Sequence, residues 1–487
     1  MYERLILSRI ALTVGEHLID DQAGLRAGKA CVGQVLNIIE YIEDGYQAGQ
    51  IACTVFIELI AAYDMVNHRA LMMKVSKMLK NKPLVQIIES LLKNRRFYVE
   101  MDGKESRWRA QKNGLPQGSV LAPTLFNIYT NDIPQFANVR RFIYADDLCL
   151  ATQSNDFKSI EDRLMRALQE LSSYYKKWHL NPNPGKTKVC SFHLKNYLAK
   201  RELNITWEGK LLENTPNPVY LGLTLDRTLS YKVHVEKLRK KLSARNSLLS
   251  TLANSSWGAG AQTLRLSALA LCFSTAEYCA AAWARSAHAP KVDIELNKCY
   301  RTITGCLKSS NRSSVYRPSG IAPPQIRREA ISVAEREKQL TDSRHPLYGH
   351  EEPPVRLTSR KSFSTVTRLG RSSLSSFRSR RWNEALIEAQ NNNEALPEPK
   401  EMLPAGSELP RKEWVTLNRA RSKVAKTRDN LLKWGLVQDA ACPCGTAEQT
   451  IAHLLSDCPL SVPCSDVDLR DVTDAALQFV SRWRETL

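Results

Sequence analysis

Residues 142–151 read Phe-Ile-Tyr-Ala-Asp-Asp-Leu-Cys-Leu-Ala, and this stretch decides the fold because it places two adjacent carboxylates between apolar runs. The apolar runs are typical of β-strands, and Asp146 and Asp147 fall where a tight hairpin would turn. Carboxylates held in one cleft repel each other, and a divalent cation removes that cost while enabling phosphoryl transfer. For this stretch taken alone, an exposed acidic turn without chemistry remains the alternative.

Two further segments lie upstream of this pair. Residues 114–127 read Gly-Leu-Pro-Gln-Gly-Ser-Val-Leu-Ala-Pro-Thr-Leu-Phe-Asn, a loop that leads into an apolar segment, 121–129, of predicted helical character. Glycine has no Cβ, so such a loop lets the backbone approach a large ligand. A run rich in β-branched and aromatic residues predicts a buried strand over 53–57 that ends at the carboxylate of Glu58. Taken singly, these segments are an ordinary loop and a solvated strand end.

The three segments in this order resemble the palm of a reverse transcriptase, most closely the LINE-type (non-LTR) retrotransposon enzymes. The resemblance implies an α+β right-hand polymerase with fingers, palm and thumb, followed by a helical C-terminal region with a small zinc-knuckle-like segment. It implies RNA-directed DNA synthesis with an RNA template, a DNA primer and a dNTP, supported by two Mg²⁺ ions. Glu58, Asp146 and Asp147 match the positions of the family's catalytic metal ligands. The first residues already resemble the fingers, so truncation at the N-terminus is also expected.

Other residues acquire roles by the same resemblance. Tyr63 occupies the position of the aromatic residue that excludes a ribose 2′-hydroxyl, and Gln117 lies where the family contacts nucleotide and template. Arg26 and Lys29 follow the fingers motif whose basic residues contact the incoming triphosphate, and Lys186 resembles the catalytic lysine near the reacting phosphates. A basic side chain suits a phosphate contact, although a solvated surface charge is the alternative for each of the three.

Glu58 departs from the family, which has aspartate at this position. The additional methylene displaces the carboxylate, and Mg²⁺ demands near-ideal octahedral geometry. A misplacement of about 1 Å can cost about a hundredfold in rate. The sequence therefore predicts an impaired polymerase, and the alternative function is a catalytically inactive RNA-binding protein that retains the polymerase fold.

The composition favours a polyanionic partner. The 487 residues include 69 lysines and arginines against 50 aspartates and glutamates, a formal net charge of +19. Such an excess suits nucleic acid, with a membrane surface as the competing interpretation. The twelve cysteines are scattered and the first residues do not resemble a signal peptide, which favours a nuclear or cytoplasmic location. Residues 262–283 are rich in leucine and alanine but contain Arg265 and Glu277, so we expect a buried helix there and no membrane span.

Composition and the resemblance together divide the chain into four regions. Fingers and palm are expected over 1–225, and a thumb with a helical connection over 226–340. Residues 341–410, which are rich in arginine, serine and proline, predict a basic, partly flexible linker. Residues 411–487 form the predicted C-terminal helical region with a Cys/His motif.

The Cys/His motif holds three thiols and one imidazole, those of Cys442, Cys444, Cys458 and His453. The set matches a Cys₃His zinc site, and the spacing resembles the C-terminal cysteine–histidine motif of the same retrotransposon family. Zinc here would be structural, because four protein ligands leave no open coordination position. Buried cysteines in a small helical domain are the alternative, and Cys464 offers a substitute ligand.

Overall fold

The computed structural model describes residues 1–254, 258–351, 356–357, 362–366, 373–389 and 398–487. The chain forms two compact units, each built from two stretches of sequence. The first unit comprises Met1–Val233 and Glu335–Val366, and the second comprises His234–Ala334 and Thr367–Leu487. The carboxylates predicted as metal ligands therefore belong to the first unit, and the Cys/His motif belongs to the second.

A five-stranded sheet lies in the first unit, accompanied by four two-stranded pairs. The strands, in chain order, are β1 (Ile51–Ile57), β2 (Arg96–Phe97), β3 (Glu100–Met101), β4 (Lys104–Glu105), β5 (Arg109–Ala110), β6 (Arg140–Tyr144), β7 (Asp147–Ser154), β8 (Lys188–Phe192), β9 (Thr206–Trp207), β10 (Lys210–Leu211), β11 (Glu213–Asn214), β12 (Val219–Tyr220) and β13 (Leu223–Thr224). The large sheet has the order β11–β8–β1–β7–β6. The pairing of β11 with β8 is parallel, and the other pairings in this sheet are antiparallel. The buried strand predicted over 53–57 is confirmed as the central strand, β1.

The register of the central strands aligns their ends. Ile57, the last residue of β1, lies opposite Leu148 of β7. Across the β6–β7 hairpin, Tyr144 lies opposite Asp147, so the loop consists of the two residues between them. The tight hairpin predicted at the paired acids is confirmed.

Helices pack against this sheet within the first unit. Those in residues 1–231 are α1 (Tyr2–His17), α2 (Cys31–Ala48), α3 (His68–Leu79), α4 (Lys82–Leu92), α5 (Ala122–Tyr129), α6 (Phe157–Lys177) and α7 (Asn196–Ala199). Helix α6 begins where Asp156 accepts a hydrogen bond from the backbone N–H of Ser159 at 2.9 Å. It buries Leu164 and Leu168 against the core, and each such side chain contributes about 1.5–3 kcal/mol. Helix α5 confirms the helical character predicted for 121–129.

The second unit is helical in its described residues. The helices from residue 232 onward are α8 (Lys232–Thr251), α9 (Ala261–Ala268), α10 (Ser274–Glu277), α11 (Ala280–Trp283), α12 (Pro290–Thr304), α13 (Arg312–Ser319), α14 (Pro324–Thr341), α15 (Leu374–Ala389), α16 (Arg411–Arg421), α17 (Arg428–Lys433), α18 (Ile451–Ser456), α19 (Asp466–Asp471) and α20 (Asp474–Trp483). Helices α16, α18, α19 and α20 share a core in which Trp414, Leu454 and Phe479 are fully buried.

The apolar segment over 262–283 is part of this helical unit. It contains most of α9, a π-helical turn at Leu269–Phe273, α10 and α11. Its two charged residues have partners, because Arg265 donates to the carbonyl of Gly320 at 3.0 Å and Glu277 pairs with Arg327. No helix within the described ranges combines the length and apolar character that crossing a bilayer requires. The expected helical character is confirmed, but the segment is divided into short helical pieces, with a break at Tyr278 and Cys279, instead of forming one buried helix.

The basic segment predicted as a linker, 341–410, lies only partly among the described residues. The stretches 352–355, 358–361, 367–372 and 390–397 fall outside them. The described part includes α15, whose Arg378 forms an ion pair with Glu401.

Candidate active site

Strand register brings Glu58 beside the hairpin acids. Glu58 directly follows β1, whose last residue lies opposite Leu148, so Glu58 stands next to Asp147 at one end of the sheet. The two acids line one cavity of about 110 Å³, together with Lys186. Asp146 forms the hairpin loop beside them. Acids from two distant parts of the chain are thus neighbours in the first unit.

The crowding of these acids changes their electrostatics. Partial burial, with the neighbouring charges of Asp146 and Glu58, raises the pKa of Asp147 to about 6. Burial and the Asp146 charge also raise the pKa of Tyr63 to about 12. A site that concentrates negative charge favours a divalent cation, because the cation removes the repulsion. Oxygen atoms are the ligands that Mg²⁺ prefers.

Gln22 holds the hairpin loop in place. Its side chain is buried, its Oε1 accepts the N–H of Ala145 at 2.8 Å, and its Nε2 donates to the Ala145 carbonyl at 3.2 Å. Ala145 has a φ of +56°, a left-handed conformation that costs a residue with a Cβ about 1–2 kcal/mol. A Cβ at Gly24 would lie 2.1 Å from the Ala145 nitrogen, so the approach of this segment requires glycine. Sequence reasoning missed Gln22, because a buried amide that binds backbone leaves no pattern in the sequence.

Lys186 reaches the cavity because its segment pairs with the chain just beyond β1. The N–H of Asn183 donates to the carbonyl of Glu58 at 2.8 Å, and the N–H of Ile60 donates to the carbonyl of Asn181 at 2.8 Å. These bonds lie past the end of β1 and are shifted by three residues from the β1–β8 register, so Lys186 falls in the short loop between the two pairings. The exposed ammonium group of Lys186 is therefore a cation at the acidic cavity, suited to a ligand's phosphate.

Tyr63 is held flat against helix α5. Its ring stacks on Phe126 of α5, with the ring centroids 4.5 Å apart and an interplanar angle of 13°. The N–H of Leu115 donates to the Tyr63 carbonyl at 2.9 Å, which fixes the Pro-Gln-Gly loop next to the aromatic residue. Gln117 is exposed in that loop. The backbone hydrogen bond from Leu115 thus holds the loop that carries Gln117 next to Tyr63.

Arg26 and Lys29 are not brought to the carboxylates. The Arg26 guanidinium donates to three backbone carbonyls of its own segment, the shortest bond being 2.8 Å to Ile19. The Lys29 ammonium group donates to the carbonyl of Asp20. Both side chains line a second cavity, of about 520 Å³ along α1, and none of the three carboxylates is among the described residues that line it. Burial lowers the pKa of both groups, and Arg26 serves here as a brace for the backbone.

The second unit brings the four Cys/His side chains together. The Sγ atoms of Cys442 and Cys458 are 3.8 Å apart, and the Sγ of Cys444 lies 3.2 Å from the Nε2 of His453. All four ligand atoms lie within 4.8 Å of one another, and Cys464 is not in the group. A tetrahedral zinc ion with Zn–S bonds of about 2.3 Å separates its sulfur ligands by about 3.8 Å. The side chains therefore stand at spacings that suit zinc.

A comparison with known protein families matches the region that contains the acidic site. Residues 1–225 match the family model for reverse transcriptase (RNA-dependent DNA polymerase). The β1 strand end, the Pro-Gln-Gly loop and the acidic hairpin all fall within that range. These residues are therefore similar to the reverse transcriptase domain that the family model describes.

Several relatives of the chain are named as RNA-directed DNA polymerases of transposons. It is 33% identical over 264 residues to a probable RNA-directed DNA polymerase from transposon BS of Drosophila melanogaster, which covers 52% of this chain and 29% of the relative. It is 31% identical over 256 residues to the RNA-directed DNA polymerase from mobile element jockey of Drosophila funebris, which covers 50% of this chain and 27% of the relative. The chain spans less than a third of the length of these curated relatives. The predicted resemblance to a LINE-type reverse transcriptase is confirmed.

Similarity to solved structures is weaker. The structure of apo telomerase from Candida tropicalis aligns over 62% of this chain and 50% of its own, with 10% identity and a TM-score of 0.37. A superposition this loose supports no argument about the fold.

Proposed function

We propose that this chain is an RNA-directed DNA polymerase that extends a DNA primer on an RNA template with dNTPs. The observation that carries the proposal is the meeting of Glu58, Asp146 and Asp147 at one end of the sheet, within the residues that match the reverse transcriptase family. In the proposed reaction, the primer 3′-hydroxyl oxygen attacks the α-phosphorus of the dNTP, and pyrophosphate leaves.

The acidic site fits magnesium. Its donors are oxygen atoms, and burial with mutual repulsion raises the pKa of Asp147 to about 6, so a bound cation would offset that repulsion. Two Mg²⁺ ions held by the three carboxylates would stabilise charge on the attacking and leaving oxygens.

The neighbouring side chains have separate roles in the proposal. Lys186 supplies positive charge to the nucleotide phosphates at the cavity. Tyr63, held flat on Phe126, fills the space that a ribose 2′-hydroxyl needs and so selects deoxyribonucleotides. Gln117 offers an amide to nucleotide and template. Arg26 and Lys29 would contact the triphosphate only after leaving their backbone carbonyls.

The test is primer extension on an RNA template by the intact chain, with Asp146→Asn as the inactive variant. Asp162→Asn is the matched control, because it removes one exposed carboxylate from the same unit, on α6, away from the sheet end. We expect extension by the wild type and by the control but none by Asp146→Asn. Equal extension by all three proteins would overturn the proposal.

A second candidate function is RNA binding without catalysis. Two observations favour it: Glu58 is one methylene longer than the family's aspartate, and Arg26 is bonded to backbone carbonyls. The proposed polymerase is accordingly an impaired one. RNA affinity that survives Asp146→Asn, with no cDNA made by the wild type or by Glu58→Asp, would favour the binding protein.

The Cys/His group is proposed as a structural, zinc-knuckle-like site. Its support is the set of three thiols and one imidazole with ligand atoms within 4.8 Å of one another. Metal analysis of the purified chain should find zinc, and Cys458→Ser should remove it while Cys464→Ser should not. If Cys458→Ser retains zinc and Cys464→Ser loses it, the fourth ligand is Cys464 and not Cys458.

The remaining regions complete the proposal. Residues 1–225 would form fingers and palm, and 226–340 would form the thumb and helical connection. Residues 341–410 would link them to the C-terminal helical region at 411–487. A nucleus or cytoplasm is the compartment in which a zinc–thiolate site and an RNA template would both persist.

A further inference from the structure

An exposed hairpin over 96–110 projects large apolar side chains into solvent. The exposed fractions are 47% for Phe97, 37% for Tyr98, 72% for Met101 and 62% for Trp108. Scattered apolar residues are common on protein surfaces, but a contiguous apolar and aromatic patch marks an interaction site. All fifteen residues of 96–110 are exposed, so packing in the core of the first unit does not account for these side chains.

The pairing of the hairpin presents aromatic side chains on both of its faces. Phe97 of β2 lies opposite Arg109 of β5, whereas Glu100 of β3 lies opposite Glu105 of β4. The second strand therefore carries one more residue than the first between these pairs, which is a β-bulge. Successive side chains of a strand point to opposite faces, so Phe97 and Tyr98 project from opposite faces.

Tyr98 and Trp108 form an aromatic pair on one face. Their ring centroids are 4.6 Å apart with an interplanar angle of 60°, an edge-on arrangement. Trp108 is nevertheless 62% exposed, so much of the indole surface is available for a stacked ligand. An aromatic ring in this position can stack on a nucleobase, and each such contact is worth a large factor in affinity.

The charge around the hairpin is positive. Residues 93–112 include seven lysines and arginines and three aspartates and glutamates. None of the ion pairs among the described residues engages Arg96, Lys104, Arg107 or Arg109. Basic side chains that have no acidic partner are available to phosphates, and their alternation with aromatic residues is typical of surfaces for single-stranded nucleic acid.

The base of the hairpin adjoins the Pro-Gln-Gly loop of the candidate active site. The N–H of Gln111 donates to the carbonyl of Arg95 at 2.8 Å and closes the hairpin. The Gln111 side chain donates to the carbonyl of Gly114 at 3.4 Å, at the start of that loop. The hairpin is therefore joined directly to the loop that is expected to contact the template. RNA that lies along the hairpin would lead towards this loop.

We propose that the hairpin over 96–110 is a stacking platform for unpaired RNA of the template. The proposal rests on the proposed function for the identity of the RNA as template. Bases stack on Trp108 and Tyr98 on one face of the hairpin and on Phe97 on the other, and the neighbouring arginines bind the phosphates. The alternation of basic and aromatic side chains favours RNA over a protein partner, because a single strand supplies a base to stack and a phosphate to bind at every nucleotide.

The test is the affinity of the intact chain for an unstructured, uridine-rich RNA oligonucleotide, measured by fluorescence anisotropy without nucleotide or metal. We expect Trp108→Ala and Phe97→Ala each to weaken binding about tenfold, and Trp108→Phe to keep most of the affinity because it keeps an aromatic ring. Trp434→Ala is the matched control, since Trp434 is an exposed tryptophan, 41% accessible, in the second unit.

The outcomes separate this proposal from the proposed function. Unchanged RNA affinity in both alanine variants would overturn it and leave a protein partner as the use of the hairpin. An equal loss of affinity for blunt duplex RNA would also overturn it, because paired bases cannot stack on a side chain. The assay involves no DNA synthesis, so a wild-type chain that binds RNA through Trp108 but extends no primer would refute the proposed function alone.

Discussion

The acidic group of the first unit and the Cys/His group of the second are built in opposite ways. Glu58 and the two hairpin aspartates come from distant parts of the chain, are set by strand register on a buried sheet, and remain exposed. The Cys/His ligands come from one short stretch, 442–458, and are largely buried. The contrast teaches that an open set of oxygen donors on a rigid sheet suits exchangeable metal and substrate, whereas a closed set of thiols suits a permanent structural ion.

The largest expected effect tests the open site. Asp146→Asn should reduce extension by about ten-thousandfold, because it removes a charged ligand from a site whose chemistry depends on charge. RNA binding and the unfolding midpoint should change little, since the side chain is an exposed member of the hairpin loop. Single-turnover extension and thermal unfolding measure the two effects. If Asp146→Asn loses its folding together with its activity, Asp146 is a structural residue. The acidic site would then not differ in role from the structural Cys/His site.

The next effect tests the closed site. Cys458→Ser should lower the free energy of unfolding of the second unit by about 3 kcal/mol, a quarter of what a structural zinc ion typically contributes. Cys464→Ser, which changes a buried cysteine outside the ligand group, should cost less. Denaturant unfolding with and without a chelator measures the difference. If the chelator has no effect on the wild type, the cysteines are merely packed and the site is not a metal site.

A smaller effect sharpens the account of the open site. Glu58→Asp should raise the extension rate by up to about a hundredfold, because it shortens the side chain to the length that the family uses. Steady-state extension at saturating template and dNTP measures the change, with Glu58→Gln as the control that keeps the length and removes the charge. A Glu58→Asp variant no faster than the wild type would show that the longer side chain is already well placed.

The smallest expected effect concerns the response of the second unit to acid. Burial, with the nearby Lys237 charge, lowers the pKa of His234 to about 4. The contribution of neutral His234 to the free energy of unfolding is therefore complete above its unfolded-state pKa, near 6.5. It is lost as the pH falls from there towards 4, and about 2 kcal/mol is lost near pH 5. Denaturant unfolding of the wild type and of His234→Gln across this range measures the slope. Parallel stability curves for the two proteins would show that His234 does not control the pH dependence of the free energy of unfolding.

The parts of the fold that the sequence predicted are those with a local signal. The β-branched run before Glu58, the apolar strands on both sides of Asp146, and the apolar segment that became α5 each determine their own structure over a few residues. Their meeting in space was expected only through the family resemblance, because strand order and register depend on long-range pairing.

The parts that escaped prediction depend on contacts between distant residues. Gln22 binds the backbone of Ala145 across the sheet, and Asn183 pairs with the carbonyl of Glu58, and neither contact has a sequence pattern. Arg26 suited a triphosphate by charge, yet backbone carbonyls nearby satisfy its donors, which composition cannot reveal. Exposed hairpins such as the one that carries Trp108 are short and polar–apolar mixed, so no periodicity marks them.

The central claim is that the acids at the end of the sheet act together on DNA synthesis through magnesium. The most direct measurement is the rate of RNA-templated primer extension as a function of Mg²⁺ concentration for the wild type and for Asp147→Asn. The account predicts extension that requires Mg²⁺ in the wild type and is absent, or needs far more Mg²⁺, in Asp147→Asn. Superimposable curves for the two proteins would contradict it.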